Sequence, residues 1–168
     1  WFSKWNHQPD VIHCHDHHTG LIPFMMKYGL EFRNKLAGIP SVFTVHNGQY
    51  QGWIDWSKYY LLPPFDSWKW GMLDWNNTIN PMASAVKCAW KVTTVSHSYL
   101  DELKQAANGL ENLFPYEVGK SHGILNGIDT HVWDPLTDSM IIKNYDKELV
   151  AKGKLKNKQE LAGQFGLD

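Results

Sequence analysis

The chain is 168 residues long with 43% hydrophobic and 20% charged residues, the balance of one soluble globular domain and not of a disordered segment. Its formal net charge of −1 leaves no basic excess for binding phosphate backbones, which excludes nucleic acid as a partner class. No apolar run nears the ~20 residues of a membrane span, and Cys14 and Cys88 are too few and too far apart for a disulfide framework.

In chain order, Trp1 to Asp10 is polar and aromatic, without the apolar centre of a signal peptide. With reduced thiols, this predicts a cytoplasmic protein; Trp instead of Met at position 1 predicts an excerpt of a longer one. Val11-Ile12-His13-Cys14 reads as a buried strand after Pro9-Asp10. Thr19 to Leu36 reads as a single helix, with Leu21, Phe24, Met25, Tyr28 and Phe32 at helical spacing, Gly38 closing it, and Asp16 and Thr19 as cap candidates. Ser41 to Val45 is a second strand.

Residues 49–81 read as irregular, broken by Pro63-Pro64 and Asn80-Pro81. Five of the nine tryptophans fall between Trp53 and Trp75, where they either stack on sugar rings or simply pack. Pro81 to Trp90 has a helical face, and Val92 to Val95 is a third strand. Ser96 caps a helix running to about Ala107, and Ser121 to Leu125 is a fourth strand ended by Asn126-Gly127. Leu155 to Phe165 forms an amphipathic helix.

Strands alternating with helices predict an α/β fold, a parallel sheet with helices on both faces. Ligands of such sheets sit beyond the carboxyl ends of the strands. Each predicted strand ends in polar groups: His15-Asp16, His46-Asn47, Ser96-His97 and Asn126. Four strand ends thus converge on one rim.

Several chemistries remain open at that rim. His13 and His15 share a strand face, and with His18 they nearly fit a His-x-His-x-Asp-His zinc pattern, but His17 stands where that pattern needs Asp. The same segment also reads as a strand running into a helix-capping loop. His46 is placed to bond a sugar hydroxyl or only loop carbonyls, and Asn126-Gly127 to meet vicinal hydroxyls or only to turn the chain. No phosphate-cradling glycine loop, nucleophile elbow or paired carboxylates occur.

At these same segments the chain resembles bacterial glycogen synthases and plant starch synthases, glycosyltransferase family five. Pro9-Asp10-Val11-Ile12-His13-Cys14-His15-Asp16 is similar to the family's Pro-Asp-Val-Hyd-His-x-His-Asp. Thr44-Val45-His46-Asn47 with Tyr50-Gln51-Gly52, Thr94-Val95-Ser96 with Tyr99, Gly123 to Asp129 with Trp133 and Pro135, and Lys154 to Leu161 continue the resemblance in order. His17 replaces the family's usual Trp, and Gly48-Gln49 its usual Leu-Ala.

The resemblance implies part of the N-terminal Rossmann-like domain of a two-domain GT-B enzyme over residues 1–150, with residues 151–168 a helix leading toward a C-terminal domain. It implies retaining transfer of glucose from ADP-glucose or UDP-glucose to the non-reducing end of an α-1,4-glucan, without metal or other cofactor. His46, Asn126 and Asp16 would be catalytic; Asn47, His17, Ser96 and Tyr99 would bind substrate. Alone, the chain is expected to be inactive and, with apolar surface uncovered, to self-associate. Two alternatives are a zinc-dependent hydrolase using His13, His15 and His18, and a non-catalytic glucan-binding module using the Trp53–Trp75 aromatics.

Overall fold

In the computed structural model, which describes residues 7–167, the elements follow the chain with little rearrangement. Residues 1–6, the start of the polar leading segment, and Asp168 lie outside the described residues. β1 (Ile12–His15) passes through a 3-10 turn (His17–Thr19) into α1 (Ile22–Tyr28) and α2 (Arg33–Leu36). β2 (Ser41–Val45) is followed by two 3-10 segments, Trp56–Leu61 and Ser67–Met72, and by a hairpin of β3 (Asp74–Trp75) and β4 (Thr78–Ile79). Then come α3 (Pro81–Cys88), β5 (Lys91–Thr94), α4 (His97–Leu103), a 3-10 segment (Phe114–Lys120) and β6 (Ser121–Gly123).

The main sheet has the order β1-β2-β5-β6, and every pairing in it is parallel. Parallel neighbours need crossovers, and the intervening helical segments supply them. The expected α/β architecture is therefore present, with all four carboxyl ends on one edge. Burial alternates along the strands. Ile12, Cys14, Phe43, Val45 and Val92 enter a core with Met82, Val86, Leu100, Leu103, Leu110 and Phe114. His13, His15 and His122 point to the opposite face and are exposed, with Thr93 half-buried beside them. A smaller cluster of Phe24, Leu73, Ile79 and Cys88 forms where the 49–81 segment folds onto α1, with Ile54, Trp56 and Phe65 packed around it.

Several boundaries differ from the sequence reading, among them the following. The single helix expected over residues 19–36 is two. Gly29 is extended (φ −69°, ψ 124°), and the backbone there pairs with a distant loop, Leu30 N–H donating to Pro64 O at 2.9 Å and Asp66 N–H to Tyr28 O at 3.0 Å. α4 stops at Leu103 instead of about Ala107. The Glu111 carboxylate accepts from the N–H groups of Ala107 (3.1 Å) and Gly109 (2.9 Å), while the Ala107 carbonyl accepts from Gln51 (2.9 Å). The 49–81 segment, read as irregular, holds the two 3-10 segments and the β3–β4 hairpin.

The chain divides into two compact units, residues 1–126 and 127–168. The second consists of tight turns and α5 (Val150–Phe165), which begins five residues before the predicted Leu155. Asp129, Asp134, Asp138 and Asp146 each accept from a backbone N–H two residues ahead, so one turn chemistry repeats along the unit. The Asn157 side chain clasps the Lys143 N–H and C=O, both at 2.8 Å. Among the described residues no helix is long and apolar enough to cross a membrane.

Candidate functional site

The carboxyl edge of the sheet gathers the residues singled out above, and Asp16 is its hinge. It follows β1 at φ 51°, a left-handed value that costs a non-glycine residue about 1–3 kcal/mol. Its N–H remains in the ladder, donating to Thr44 O at 3.0 Å. Its carboxylate then reaches across to the loop after β2, where Oδ1 accepts from His46 N–H at 2.8 Å and from Asn47 N–H at 3.4 Å.

The expected helix cap at Asp16 is not made: no side-chain capping bond is present. The long-range donors at 46 and 47 compete for the same oxygen and are charge-assisted partners. Thr19 does not cap either. Its hydroxyl lies 2.7 Å from both the N–H and the C=O of His15 and brackets the end of β1.

The His46 ring is exposed and, among the described residues, hydrogen-bonds only to His15: His15 Nδ1 and His46 Nε2 are 3.0 Å apart, with ring centroids at 5.3 Å. His13 lies beneath, its ring 4.2 Å from that of His15 and its Nε2 2.7 Å from Thr44 Oγ1, which in turn is 2.6 Å from Thr93 Oγ1. Burial, then the neighbouring His15 and His46, hold the His13 imidazole below its ordinary value.

Ser96, after β5, caps α4 as expected, its Oγ accepting from Tyr99 N–H at 2.9 Å. The Tyr99 hydroxyl accepts from Gly48 N–H at 2.9 Å, which joins α4 to the loop bearing His46 and Asn47. A cleft of about 450 Å³ opens beside that joint, lined by Asn47, Gln49, Tyr99, Leu103 and Asn108 among others. It does not include Asp16, His46 or Asn126. His17 packs against Gly52, whose φ of 73° and missing Cβ leave room for the imidazole; its Nδ1 is buried without a partner among the described residues.

Asn126 stands three residues beyond β6, exposed and without a side-chain hydrogen bond among the described residues. β6 itself approaches α4 closely: a Cβ on Gly123 would lie 2.4 Å from Ser96 O and His97 N. Asp16, His46 and Asn47 are thus brought into direct contact, Ser96 and Tyr99 join them through Gly48, and Asn126 and His17 lie at the rim without bonding to the others.

Among the described residues no group of three or more His, Cys, Asp or Glu side chains is placed to hold a metal ion. Of the tryptophans between 53 and 75, Trp56 and Trp75 spend their indole N–H groups on Asp74 Oδ2 and Gly109 O, both at 2.7 Å, while Trp68 is 89% exposed.

Gln51 is what residue-by-residue reading of the sequence missed. It is fully buried, and its amide nitrogen donates to Gly48 O (3.0 Å), Ala107 O (2.9 Å) and Asn108 O (3.0 Å). Its Oε1 accepts from Asn80 Nδ2 (2.8 Å), and Asn80 caps α3 through Ala83 N–H at 2.9 Å. The rim loop is thereby pinned from below to two other segments. The Tyr50-Gln51-Gly52 match was the only signal that could have pointed to it.

A family model described as the starch synthase catalytic domain matches residues 1–115. A glycogen synthase from Flavobacterium johnsoniae is 53% identical over 168 residues, covering all of this chain and 35% of the relative. One from Streptococcus mutans is 39% identical over 163 residues, covering 95% of this chain and 34% of the relative. Among solved structures, the catalytic domain of starch synthase IV from Arabidopsis thaliana bound to ADP and acarbose matches with a TM-score of 0.69 and 30% identity, over 95% of this chain and 34% of that one. The chain thus spans about a third of the length of the relatives it matches.

Proposed function

The chain belongs to the starch synthase catalytic domain family, and from that premise we propose that it forms part of a retaining glucosyltransferase. Combined with the remaining two thirds of such an enzyme, it would take part in moving glucose from ADP-glucose or UDP-glucose to the non-reducing end of an α-1,4-glucan. No metal or other cofactor is needed in this reading. His46 and Asn126 contact the donor sugar near the reacting carbon, and Asp16 holds the acceptor side of the cleft. Asn47, His17, Ser96 and Tyr99 line or support the substrate.

The observation that carries the reading is the lacing of Asp16 to the backbone of His46 and Asn47. It fixes the ends of β1 and β2 against each other while leaving the His46 Nδ1 without a partner among the described residues, open to a sugar or a departing phosphate. ADP in the plant relative supports an adenine-nucleotide donor.

The test is a substitution in the complete enzyme. His46→Ala is expected to lower kcat by about 100-fold, as removal of one preorganised polar contact to a charge-developing centre does. Undiminished turnover would overturn the role given to His46. The isolated chain should incorporate no glucose into glycogen.

A further inference from the structure

We propose that His15 is a positioning residue for His46, fixing the plane and tautomer of its imidazole for the transfer reaction. The inference rests on the glucosyltransferase reading of the rim and assigns it a residue that reading does not include.

Strand alternation and register place the pair. His15 sits opposite Thr44 in the β1–β2 ladder, and His46 lies two residues beyond Thr44, on the same face. The two rings meet edge to edge through His15 Nδ1 and His46 Nε2 at 3.0 Å, inclined by 29°. Between two neutral imidazoles one nitrogen must donate and the other accept. The contact therefore dictates which nitrogen of His46 carries hydrogen, and so whether its Nδ1 offers a donor or an acceptor to the ligand.

Nothing else described bonds the His46 ring. Asp16 holds only its backbone N–H, so without His15 the exposed ring could turn about its Cβ–Cγ bond and exchange tautomers. His15 is itself well held. The Thr19 hydroxyl brackets its backbone, and its ring rests on His13, which is anchored through Thr44 to Thr93. A supported group that orients a ligand-facing group is the arrangement functional sites use to keep geometry within tenths of an ångström.

Two variants separate the bond from the bulk of the ring. His15→Phe keeps the packing on His13 and removes the hydrogen bond. His15→Asn places an amide group near the position of Nδ1 and can restore it. On this chain, long-range 1H–15N spectra should show His46 with one protonated and one bare ring nitrogen. In His15→Phe those two shifts should collapse toward a common average, and in His15→Asn they should separate again, with His122 signals unchanged as the control for folding. In the complete enzyme, His15→Phe should lower kcat roughly tenfold, the worth of about one hydrogen bond, with KM within twofold, and His15→Asn should recover most of the loss.

An unchanged His46 spectrum in His15→Phe overturns the proposal while leaving the transferase reading intact. Equal impairment of the Phe and Asn variants overturns it too, since packing alone would then explain the loss. If the spectra behave as expected but His46→Ala retains full turnover, the reading of His46 itself fails, and the positioning role falls with it.

Discussion

Gln51 has none of its surface in water, and every polar atom of its side chain is spoken for. Replacing it with Leu would keep most of the volume but leave the Gly48 carbonyl and the Asn80 amide without their buried partner, while the Ala107 carbonyl would keep the Leu110 N–H and the Asn108 carbonyl could turn to water. Each orphaned buried group costs about 1–3 kcal/mol, partly offset by water where the site is half-open. The expected loss for Gln51→Leu is roughly 3–5 kcal/mol, measured as a fall in the urea midpoint at constant m-value. A loss below about 1 kcal/mol would mean that the loop carbonyls find solvent easily. Neither this role nor that of Asp16 was readable from neighbours in sequence. The residues around Asp16 suggest a local helix cap and the family resemblance a place in the cleft, but its bonding partners stand 30 and 31 positions away.

Elements whose instructions are local were the legible ones. Ser96 precedes α4 and caps it as its residue type demands, and runs such as Ser41 to Val45 are strands because β-branched and aromatic side chains fit a pleated, buried surface. Ser96→Ala should therefore cost about 1 kcal/mol of stability, read as a lowered thermal midpoint, with Ser96→Asp close to neutral because aspartate caps equally well. If Ser96→Asp were as damaging as Ala, the hydroxyl would matter for something other than the cap. The helix of residues 19–36 shows the opposite case. Its apolar spacing is helical throughout, but the chain turns extended at Gly29, where a Cβ would crowd Met25 O and the Phe32 ring, and pairs with Pro64 and Phe65. Periodicity along the segment carries no trace of that pairing.

At the scale of the whole molecule, the rim was legible because parallel topology makes four separate strand ends coincide, whereas the contacts within it depend on side-chain reach. Burial also gives the molecule an alkaline weakness. The Cys14 and Cys88 thiols are pushed up to about 11, from an ordinary 9.0, mainly by burial in the two cores. Unfolded, they would ionise near 9; folded, they hold their protons to about 11. The folded state thus binds more protons in that window, so their contribution is complete below pH 9 and is lost as pH rises through 11. Burial lowers the Lys87 ammonium and so acts in the opposite direction, which makes a comparison necessary. The thermal midpoint should fall between pH 9 and 11, and fall less steeply in a Cys14→Ala/Cys88→Ala variant. Identical slopes would remove the thiols as the cause.

The Gln51 knot also has a place in time. Its long-range partners lie 29, 56 and 57 residues away, so it cannot tie until the start of α3 and the loop after α4 have both arrived. Closing loops of that length precedes any reward from the bonds, which places this knot late on the route to the native state. It is a latch and not a guide. Cutting it should leave the rate of refolding nearly as it was and quicken the rate of escape, a division that stopped-flow unfolding of Gln51→Leu would display directly.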